Sequence, residues 1–490
     1  MSDSRQGHGF DLAASAAGEM VHEGFKVGAP VGAAEQLAAI RAAGAPVAGA
    51  GVADLRGLTW SSIDNDTSRD LDQVEVAERV GDSIKVMVAV ADVSATVEKD
   101  SPLDKFAAMQ TTTVYTGVRN FPMLPNELST DLTSLNENED RAAMVVEFVV
   151  DPDGNFSQTR IYRGVVRNKA QLAYSKVGPW LEGKTQADAK VAASADLQAQ
   201  LRLQDEAAGH VKAQRIKMGA LEFSRAEADP LVVDGKVQSI HEVMHNRATE
   251  LIENFMIAAN ETMAETLKAA KRSCIRRVVK SPERWSRIVD LVKEHGTALP
   301  ATPDSEALNN FLKALRGTDP VHYPDISLAI IKLMGPGEYV LQKGDDATSQ
   351  GHFGLAALDY THSTAPNRRF ADLVTQRVVK AMLDNEAAPY TDDELAAIAA
   401  HCTAMESAAR KVKRTMQKRI AAVALADSIG KNFRGVITGA NDKGTFVRVF
   451  TPPVEGMVVR GKEGLDVGDQ VTVKLVHTDP QRAFIDFARA

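Results

Sequence analysis

Four aspartates, Asp64, Asp66, Asp70 and Asp72, fall within nine residues in the segment Ser62-Ile-Asp-Asn-Asp-Thr-Ser-Arg-Asp-Leu-Asp-Gln73. Negative charges crowded this closely repel strongly at low dielectric unless a cation sits among them. Hard carboxylate oxygens suit Mg2+, which keeps several of its waters and commonly shares substrate phosphates. A pair of such ions can activate water on one side of a phosphodiester and steady the leaving oxygen on the other. The plainer reading is a solvated acidic turn, which composition alone favours. Ile63, Leu71 and Val74 weigh against it, because apolar neighbours draw the carboxylates toward the edge of a core.

Strands must hold that segment. Residues 83–91 (SIKVMVAVA) alternate with period two and then pass into a buried run, and residues 141–150 do the same before the turn Asp151-Pro-Asp-Gly154. From Trp60 to about Val150 the pattern is therefore β. Residues 160–430 read as mostly helical, with long helices over 246–270 and 392–427, the second free of Gly and Pro. The last 60 residues return to short strands over 433–437, 445–450, 456–459, 470–476 and 483–487, with an Asn-Asp-Lys-Gly turn at 441–444. Five short strands in that space predict a small closed barrel of the OB kind. Residues 1–55, rich in Ala and Gly, predict two helices, over 10–25 and 33–43. Two readings stay open for them: a helix-turn-helix that touches RNA, and a structural lead-in. Low aromatic and basic content favours the lead-in.

At 490 residues the length predicts about three domains, or one large domain with appendages. A composition of 44% hydrophobic and 25% charged residues is that of a globular chain with a large core. Cys274 and Cys402 are too few and too far apart for a disulfide framework or a cysteine zinc site, which suits a reducing compartment. The first residues lack the basic and apolar regions of a secretory signal, no apolar run reaches about 18 residues, and no lipid-anchor motif occurs. The expectation is a cytoplasmic, monomeric protein with no membrane partner. A net charge of −8 argues against coating nucleic acid with the whole surface, and leaves room for a locally basic channel. Basic tracks occur at 271–277 and at 410–419, the second with six basic residues in ten and no acid.

The acidic segment resembles the opening of the RNB catalytic domain of the RNase II/RNase R exoribonucleases, T-I-D-x5-D-[IF]-D-D, with Asp64, Asp70 and Asp72 at the first three aspartates. Gln73 stands where that family has a fourth aspartate, taken as a metal ligand. Its amide oxygen can coordinate a hard cation but brings no charge, so metal affinity should be lower, with Asp66 the acid that could compensate. Further stretches follow in the family's order. Ala91-Asp-Val-Ser94 with Ser101-Pro-Leu-Asp104 is similar to ADVS…GSxLD, and Phe121-Pro-Met-Leu-Pro-Asn-Glu-Leu-Ser129 with Leu135-Asn136 and Glu139-Asp-Arg141 to PMLPxxLS…SLNxxEDR. Gly219-Ala-Leu-Glu-Phe223, Leu251-Ile-Glu-Asn-Phe-Met-Ile-Ala-Ala-Asn260, Gly351-His-Phe-Gly-Leu355 and Tyr360-Thr-His-Ser-Thr-Ala-Pro-Asn-Arg-Arg-Phe-Ala-Asp-Leu373 match GALxF, LIEEFMLLAN, HFGL and YTHFTSPIRRYxDL. The resemblance covers roughly residues 55–430.

The resemblance implies an α+β protein. Residues 1–55 would be a small helical region, 56–428 a large mixed RNB catalytic domain, and 429–490 an S1 domain of OB fold. It implies a hydrolytic 3′→5′ exoribonuclease of RNA turnover, degrading single-stranded RNA from its 3′ end processively to nucleoside 5′-monophosphates. Asp64, Asp70 and Asp72 would be catalytic and hold one or two Mg2+ ions, with Mn2+ able to substitute and Gln73 at most a weak fourth ligand. Arg368 aligns with the family's catalytic arginine; its planar guanidinium can grip a phosphate and neutralise charge in the transition state. Ala365-Pro366 predicts a helix start there, a natural place for an anion. Tyr115 and Phe223 match bases' stacking partners, and Glu253, Arg277 and Arg369 are implied RNA contacts. His352 and His362 read as hydrogen-bonded core residues.

Phe433-Arg-Gly-Val-Ile-Thr-Gly439, Gly444-Thr-Phe-Val447, Val454-Glu-Gly-Met-Val458 and Leu465-Asp-Val-Gly-Asp469 resemble the S1 pattern, which implies RNA contacts from Phe433, Lys443 and Phe446 beside Arg434 and Arg448. Some of those phenylalanines equally suit a barrel core. The family's two cold-shock domains ahead of the catalytic domain have no room in this sequence. The rival reading is a catalytically weak or inactive RNA-binding factor of the same fold, which Gln73 favours. A nuclease acting on DNA is disfavoured by the 2′-hydroxyl contacts that the family implies.

Overall fold

The nine residues Ser83–Ala91 run through the middle of a seven-stranded sheet in a computed structural model that describes residues 10–28, 30–44, 48–223, 228–233, 235–242, 245–320, 322–348, 350–441 and 444–490. The sheet order is Val52–Asp54, Phe156–Arg167, Asp140–Val150, Ser83–Ala91, Gln73–Val80, Ser61–Asp64, Ala170–Ala173. The two outermost strands pair in parallel with their neighbours, and the inner pairings are antiparallel. From Val86 to Ala91 every residue is buried, because both sheet faces are covered and the strand is packed with β-branched and small apolar side chains. The turn predicted at 151–154 closes on Gly154, at φ +84°, where a Cβ would lie 2.2 Å from the His210 carbonyl oxygen. Only glycine fits there.

The helices Ala195–Lys217 and Arg247–Ala269 pack on each other and on this sheet. A capping box of Asn246 and Thr249 starts the second one, as the predicted start at residue 246 requires. The strand Ser61–Asp64 pairs with Gln73–Val80 at a single position, Ser61 opposite Glu75, and then diverges. Beyond that point Gln200 and Gln204 bond the unpaired, buried edge of Gln73–Val80, at Ala77 N and O and at the Glu75 carbonyl. This divergence opens the end of the sheet where the aspartates sit.

Residues 160–430 contain more β structure than their pattern suggests. Phe156–Arg167 is a twelve-residue strand, and hairpins join Ala228–Val233 to Lys236–Glu242 and Cys274–Val278 to Glu338–Gln342. Residues 157–160 face solvent with polar side chains, so the apolar alternation that marks a strand is missing.

The helix Asp392–Leu425, opened by a Thr391–Glu394 capping box, is about 50 Å long. It joins three regions. Val412, Met416 and Ile420 pack with Leu12, Ala16 and Met20 of the helix Leu12–His22, while Ala421, Ala422 and Leu425 enter the core of the C-terminal barrel. The helix Ala33–Ala43 instead joins the central core through Ala33, Leu37 and Ile40. The two N-terminal helices therefore bury their apolar residues in different clusters.

The barrel closes in the order Asn432–Asn441, Gly444–Phe450, Pro453–Arg460, Phe484–Arg489, Gln470–Asp479. All five predicted strands are present, each longer than its sequence pattern or displaced by a residue. Alternation along Gly444–Phe450 puts Val447 and Val449 inside and Phe446 half outside. Among the described residues no helix is long and apolar enough to cross a membrane.

Candidate active site

Asp64 ends its strand and Asp72 immediately precedes the next, so the diverging pair presents both carboxylates at one sheet edge. Asp64 Oδ1 accepts from the Asn65 N–H at 2.7 Å and from Ser68 Oγ at 2.9 Å. Asp72 is only 2% exposed. Its Oδ1 accepts the Asn367 N–H at 3.1 Å and its Oδ2 accepts Arg368 Nε at 3.2 Å. Asp70 Oδ2 accepts the Tyr115 hydroxyl at 2.5 Å. Segments separated by almost 300 residues thus meet at Asp72, and Tyr115 joins Asp70 to the same region.

A short antiparallel contact makes that meeting rigid. Thr113 N donates to the Arg368 carbonyl, Phe370 N donates to the Thr111 carbonyl, and Thr112 faces Arg369. It fixes Tyr115, two residues on, beside Arg368. The helix predicted to begin at Ala365-Pro366 begins later, at Phe370. Residues 365–369 form a turn instead, because Asp372 Oδ1 reaches back to accept the Ala365 N–H at 2.8 Å and Arg369 Nη2 at 2.7 Å. The Phe370 N–H is taken by Thr111, so the site at the turn is built from Asn367 N–H and Arg368 rather than from an open helix end.

The electrostatics are those of carboxylates short of positive charge. Burial pushes Asp72 up to about 7 despite Arg368 and the Asn367 N–H, and Asp70 adds to the rise. Burial also raises Asp64, with the hydrogen bonds from Asn65 and Ser68 and the charge of Arg368 opposing and Asp70 reinforcing. Burial lifts the Tyr115 hydroxyl as well, so it stays a donor to Asp70. An all-oxygen set of this kind fits a hard divalent cation. The set is open: among the described residues the only three acidic or imidazole ligand atoms within 4.8 Å of one another belong to Glu19, His22 and Glu23. That trio lies on the first helix and is already balanced by Arg419 at 3.0 Å and Lys411 at 3.4 Å.

Arg368 has a side chain 43% exposed and, apart from Asp72, no hydrogen-bond partner among the described residues. Gln73 is half-buried at the start of its strand. Asp66 stays exposed and accepts from Ser175 Oγ at 2.8 Å.

The remaining predicted contacts lie elsewhere. Arg277 is buried, held by Glu406 through two bonds of 2.7 and 3.0 Å and stacked over Tyr339. Phe223 packs against the cluster around Trp285 and Leu308. Glu253 is exposed on the helix Arg247–Ala269. Phe433 lies edge-on to Phe487 at the barrel core, and Lys443 lies outside the described residues. Phe446 lines a groove of about 1450 Å³ between the barrel and the long helix, with Arg410, Lys413, Arg414 and Lys418 of the basic track on its other wall. His362 Nδ1 pairs with the Tyr339 hydroxyl at 2.8 Å and His352 Nδ1 accepts the Leu355 N–H at 3.2 Å, and burial holds both below the usual imidazole range.

Sequence reasoning missed Asn367, Tyr174 and Glu75. Tyr174 feels the charges of Asp64 and Glu75, which add to the rise that its own burial causes. Glu75 is 0% exposed, neither carboxylate oxygen has a hydrogen-bond partner, and burial, then Asp64, drives it well above the usual carboxylate range. Its sequence context, an acid between Val74 and Val76, reads as ordinary strand alternation and carries no signal of burial.

The family model for the RNB domain matches residues 52–385, and that for the RNase II-type exonuclease C-terminal S1 domain matches residues 431–490. Ribonuclease R of Vibrio cholerae is 30% identical over 426 residues, covering 83% of this chain and 50% of its own length. Ribonuclease R of Escherichia coli is 29% identical over 445 residues, covering 86% and 53%. The chain thus spans about half the length of these relatives. Among solved structures, RNase R of Mycoplasma genitalium superposes with a TM-score of 0.86 at 23% identity, covering 98% of this chain and 78% of that one. Yeast Ssd1, described as a pseudonuclease, superposes at 0.67 with 16% identity, covering 88% and 54%. With the RNB model matching about two thirds of its residues, this chain belongs to the RNB family and carries the RNase II-type S1 domain at its C-terminal side.

Proposed function

We propose that the protein is a metal-dependent hydrolytic 3′→5′ exoribonuclease that releases nucleoside 5′-monophosphates from single-stranded RNA. The observation that carries this reading is Arg368, held through Nε by Asp72 and with the other edge of its guanidinium unbonded. That edge has the two parallel donors that a phosphate accepts. Asp64, Asp70 and Asp72 would hold Mg2+, with the Gln73 amide as a weaker ligand, and the ion would supply an activated water and a Lewis acid for the leaving oxygen. Asp72 orients Arg368, Tyr115 steadies Asp70, and the Asn367 N–H fixes the second Asp72 oxygen. The exposed Tyr115 ring is a platform for a base near the 3′ end, and the groove with Phe446 and the basic track is a path for the upstream strand.

The test is a time course on 5′-labelled oligo(A) with Mg2+, with EDTA, and with the Asp72→Asn variant. The expected result is stepwise shortening from the 3′ end that EDTA and Asp72→Asn both abolish while RNA binding persists. Intact oligo(A) with the unaltered protein and Mg2+ would establish the second reading, an RNA-binding factor without cleavage, which the neutral side chain at Gln73 favours.

A further inference from the structure

Residues 133–135 bond the aspartate segment on one side and the turn at 365–369 on the other. Ser134 Oγ accepts the Leu71 N–H at 2.9 Å and donates to the Arg69 carbonyl at 2.8 Å, and Leu135 N donates to the Leu71 carbonyl at 2.9 Å. Leu71 stands between Asp70 and Asp72, so this loop fixes both polar groups of the main chain that joins them. One residue earlier, Thr133 Oγ1 lies 2.5 Å from the side-chain oxygen of Asn367, whose N–H holds Asp72. The loop is itself anchored, by Arg141 Nε on the Ser134 carbonyl at 2.9 Å and by Asn168 Nδ2 on the Leu135 carbonyl at 3.0 Å. Thr133, Ser134 and Asn367 are all buried, so each of these bonds is expensive to lose.

The Thr133 hydroxyl has one hydrogen and two acceptors in reach, the Asn367 oxygen and the Leu128 carbonyl at 2.9 Å, while Asn367 Nδ2 is buried without an acceptor. Turning the amide over resolves both: Nδ2 donates to Thr133 Oγ1, and Oγ1 donates to Leu128. A hydroxyl at 133 and an amide at 367 are then a matched pair. Asn367 stands where the RNB motif has isoleucine, so this chain makes a polar bond at that position.

We propose that Thr133 and Ser134 are positioning residues, a bracket that spaces the aspartate segment against the Arg368 turn. Ser134 sets Leu71 and hence Asp72, and the Thr133–Asn367 bond keeps the Asn367 N–H and Arg368 Nε on the two Asp72 oxygens. The inference rests on the exoribonuclease reading and deepens it, by naming what holds the two halves of that centre in register.

The experiment follows Arg368 itself in the metal-free full chain. In 1H–15N NMR spectra the Arg368 Nε–H signal, identified by its loss in Arg368→Lys, reports the bond to Asp72 whether or not the protein cleaves RNA. Thr133→Val keeps the side-chain shape and removes the hydroxyl, Thr133→Ser keeps the hydroxyl, and Asn367→Leu removes the other partner. Thr133→Val should speed hydrogen exchange at Arg368 Nε about tenfold, the scale of one hydrogen bond lost at a charged pair. Thr133→Ser should stay at the unaltered rate, and Thr133→Val should add nothing in the Asn367→Leu background. Ser134→Ala should speed the exchange from the other side of the bracket. On labelled oligo(A) with Mg2+, Thr133→Val should lower kcat about tenfold and leave KM unchanged, the mark of displaced catalytic groups. A role in stability alone would move the urea midpoint and leave the exchange and kcat of the folded protein as they were, and that result overturns the proposal. So does a Thr133→Val effect equally large with Leu at 367. If the exchange responds as expected and the unaltered protein leaves oligo(A) intact, the exoribonuclease reading falls and the bracket stands. Should Thr133→Val alone not fold, the double variant with Asn367→Leu, apolar on both sides, decides: faster exchange supports the bracket, and an unaltered rate refutes it.

Discussion

Arg368 and Arg369 are consecutive, each paired with an aspartate, and the two pairs have opposite characters. Arg369 reaches Asp372 at 2.7 Å, with the arginine 21% and the aspartate 0% exposed, and the same Asp372 oxygen also ties down the Ala365 N–H. Arg368 reaches Asp72 at 3.2 Å through Nε alone and keeps a side chain 43% exposed. The first pair closes a turn and has little left to offer a ligand. The second leaves a guanidinium edge turned to solvent above a buried, charge-starved carboxylate. One arginine fixes the turn so that its neighbour can be presented to a phosphate.

Breaking each pair should separate stability from chemistry. Arg369→Ala strands Asp372 in the interior, and loss of one partner from a buried pair costs about 3–5 kcal/mol. Urea unfolding should show that loss, with Asp372→Asn in the Arg369→Ala background recovering part of it. Arg368→Ala should cost less stability than Arg369→Ala, since Arg368 is itself 43% exposed and holds the buried Asp72 through one bond of 3.2 Å. Its initial rate on labelled oligo(A) should fall about 100- to 1000-fold, the usual cost of removing one donor to transition-state charge. Equal stability losses in the two variants would erase the distinction.

How much of this contrast the sequence carried depends on distance along the chain. The aspartate spacing, the paired arginines, the barrel and the long helix were readable, because each is a local pattern or a short motif. The partition of roles between Arg368 and Arg369 was not, because it hangs on Asp372 folding back to Ala365, which also delays the helix to Phe370. Nor could Arg277, within a basic run, be told from a surface residue without Glu406, 129 positions away. Glu75 escaped for the opposite reason: Val-Glu-Val reads as alternation with an outward acid, while the helix Ala195–Lys217 covers that side of the strand.

Acidity sharpens the comparison. Asp72 titrates at about 7 in the fold, against an ordinary aspartate value of 3.8. Between those values the folded state holds a proton that the unfolded chain has lost, so metal-free stability falls as pH rises, by at most about 1.4 kcal/mol per pH unit. Below about 4 the effect is absent, and above about 7 the loss is complete. Chemical denaturation in EDTA across pH 4.5–7.5 should show this slope in the unaltered protein and a shallower one in Asp72→Asn. An unchanged slope would mean that Asp72 is already fully compensated by Arg368 and the Asn367 N–H.

The smallest effect should come from the outer edge of the Arg368 site, where Tyr115 donates to Asp70 at 2.5 Å. Tyr115→Phe keeps the ring and removes one hydroxyl. A hydrogen bond to a charged acceptor contributes about 1.5–3 kcal/mol when shielded, and the 38% exposure of Tyr115 lowers that to about 1 kcal/mol, because water can replace the donor. The rate on oligo(A) should therefore drop about fivefold, with affinity for RNA held because the stacking face survives. Tyr115→Ala removes that face too, and alanine substitution of a stacking partner costs about 1–3 kcal/mol per base. Binding would then weaken by at least fivefold. If Phe and Ala at position 115 weaken binding alike, the hydroxyl rather than the ring is what holds the RNA, and Tyr115 belongs with Asp70 as part of the acid cluster instead of with the strand path.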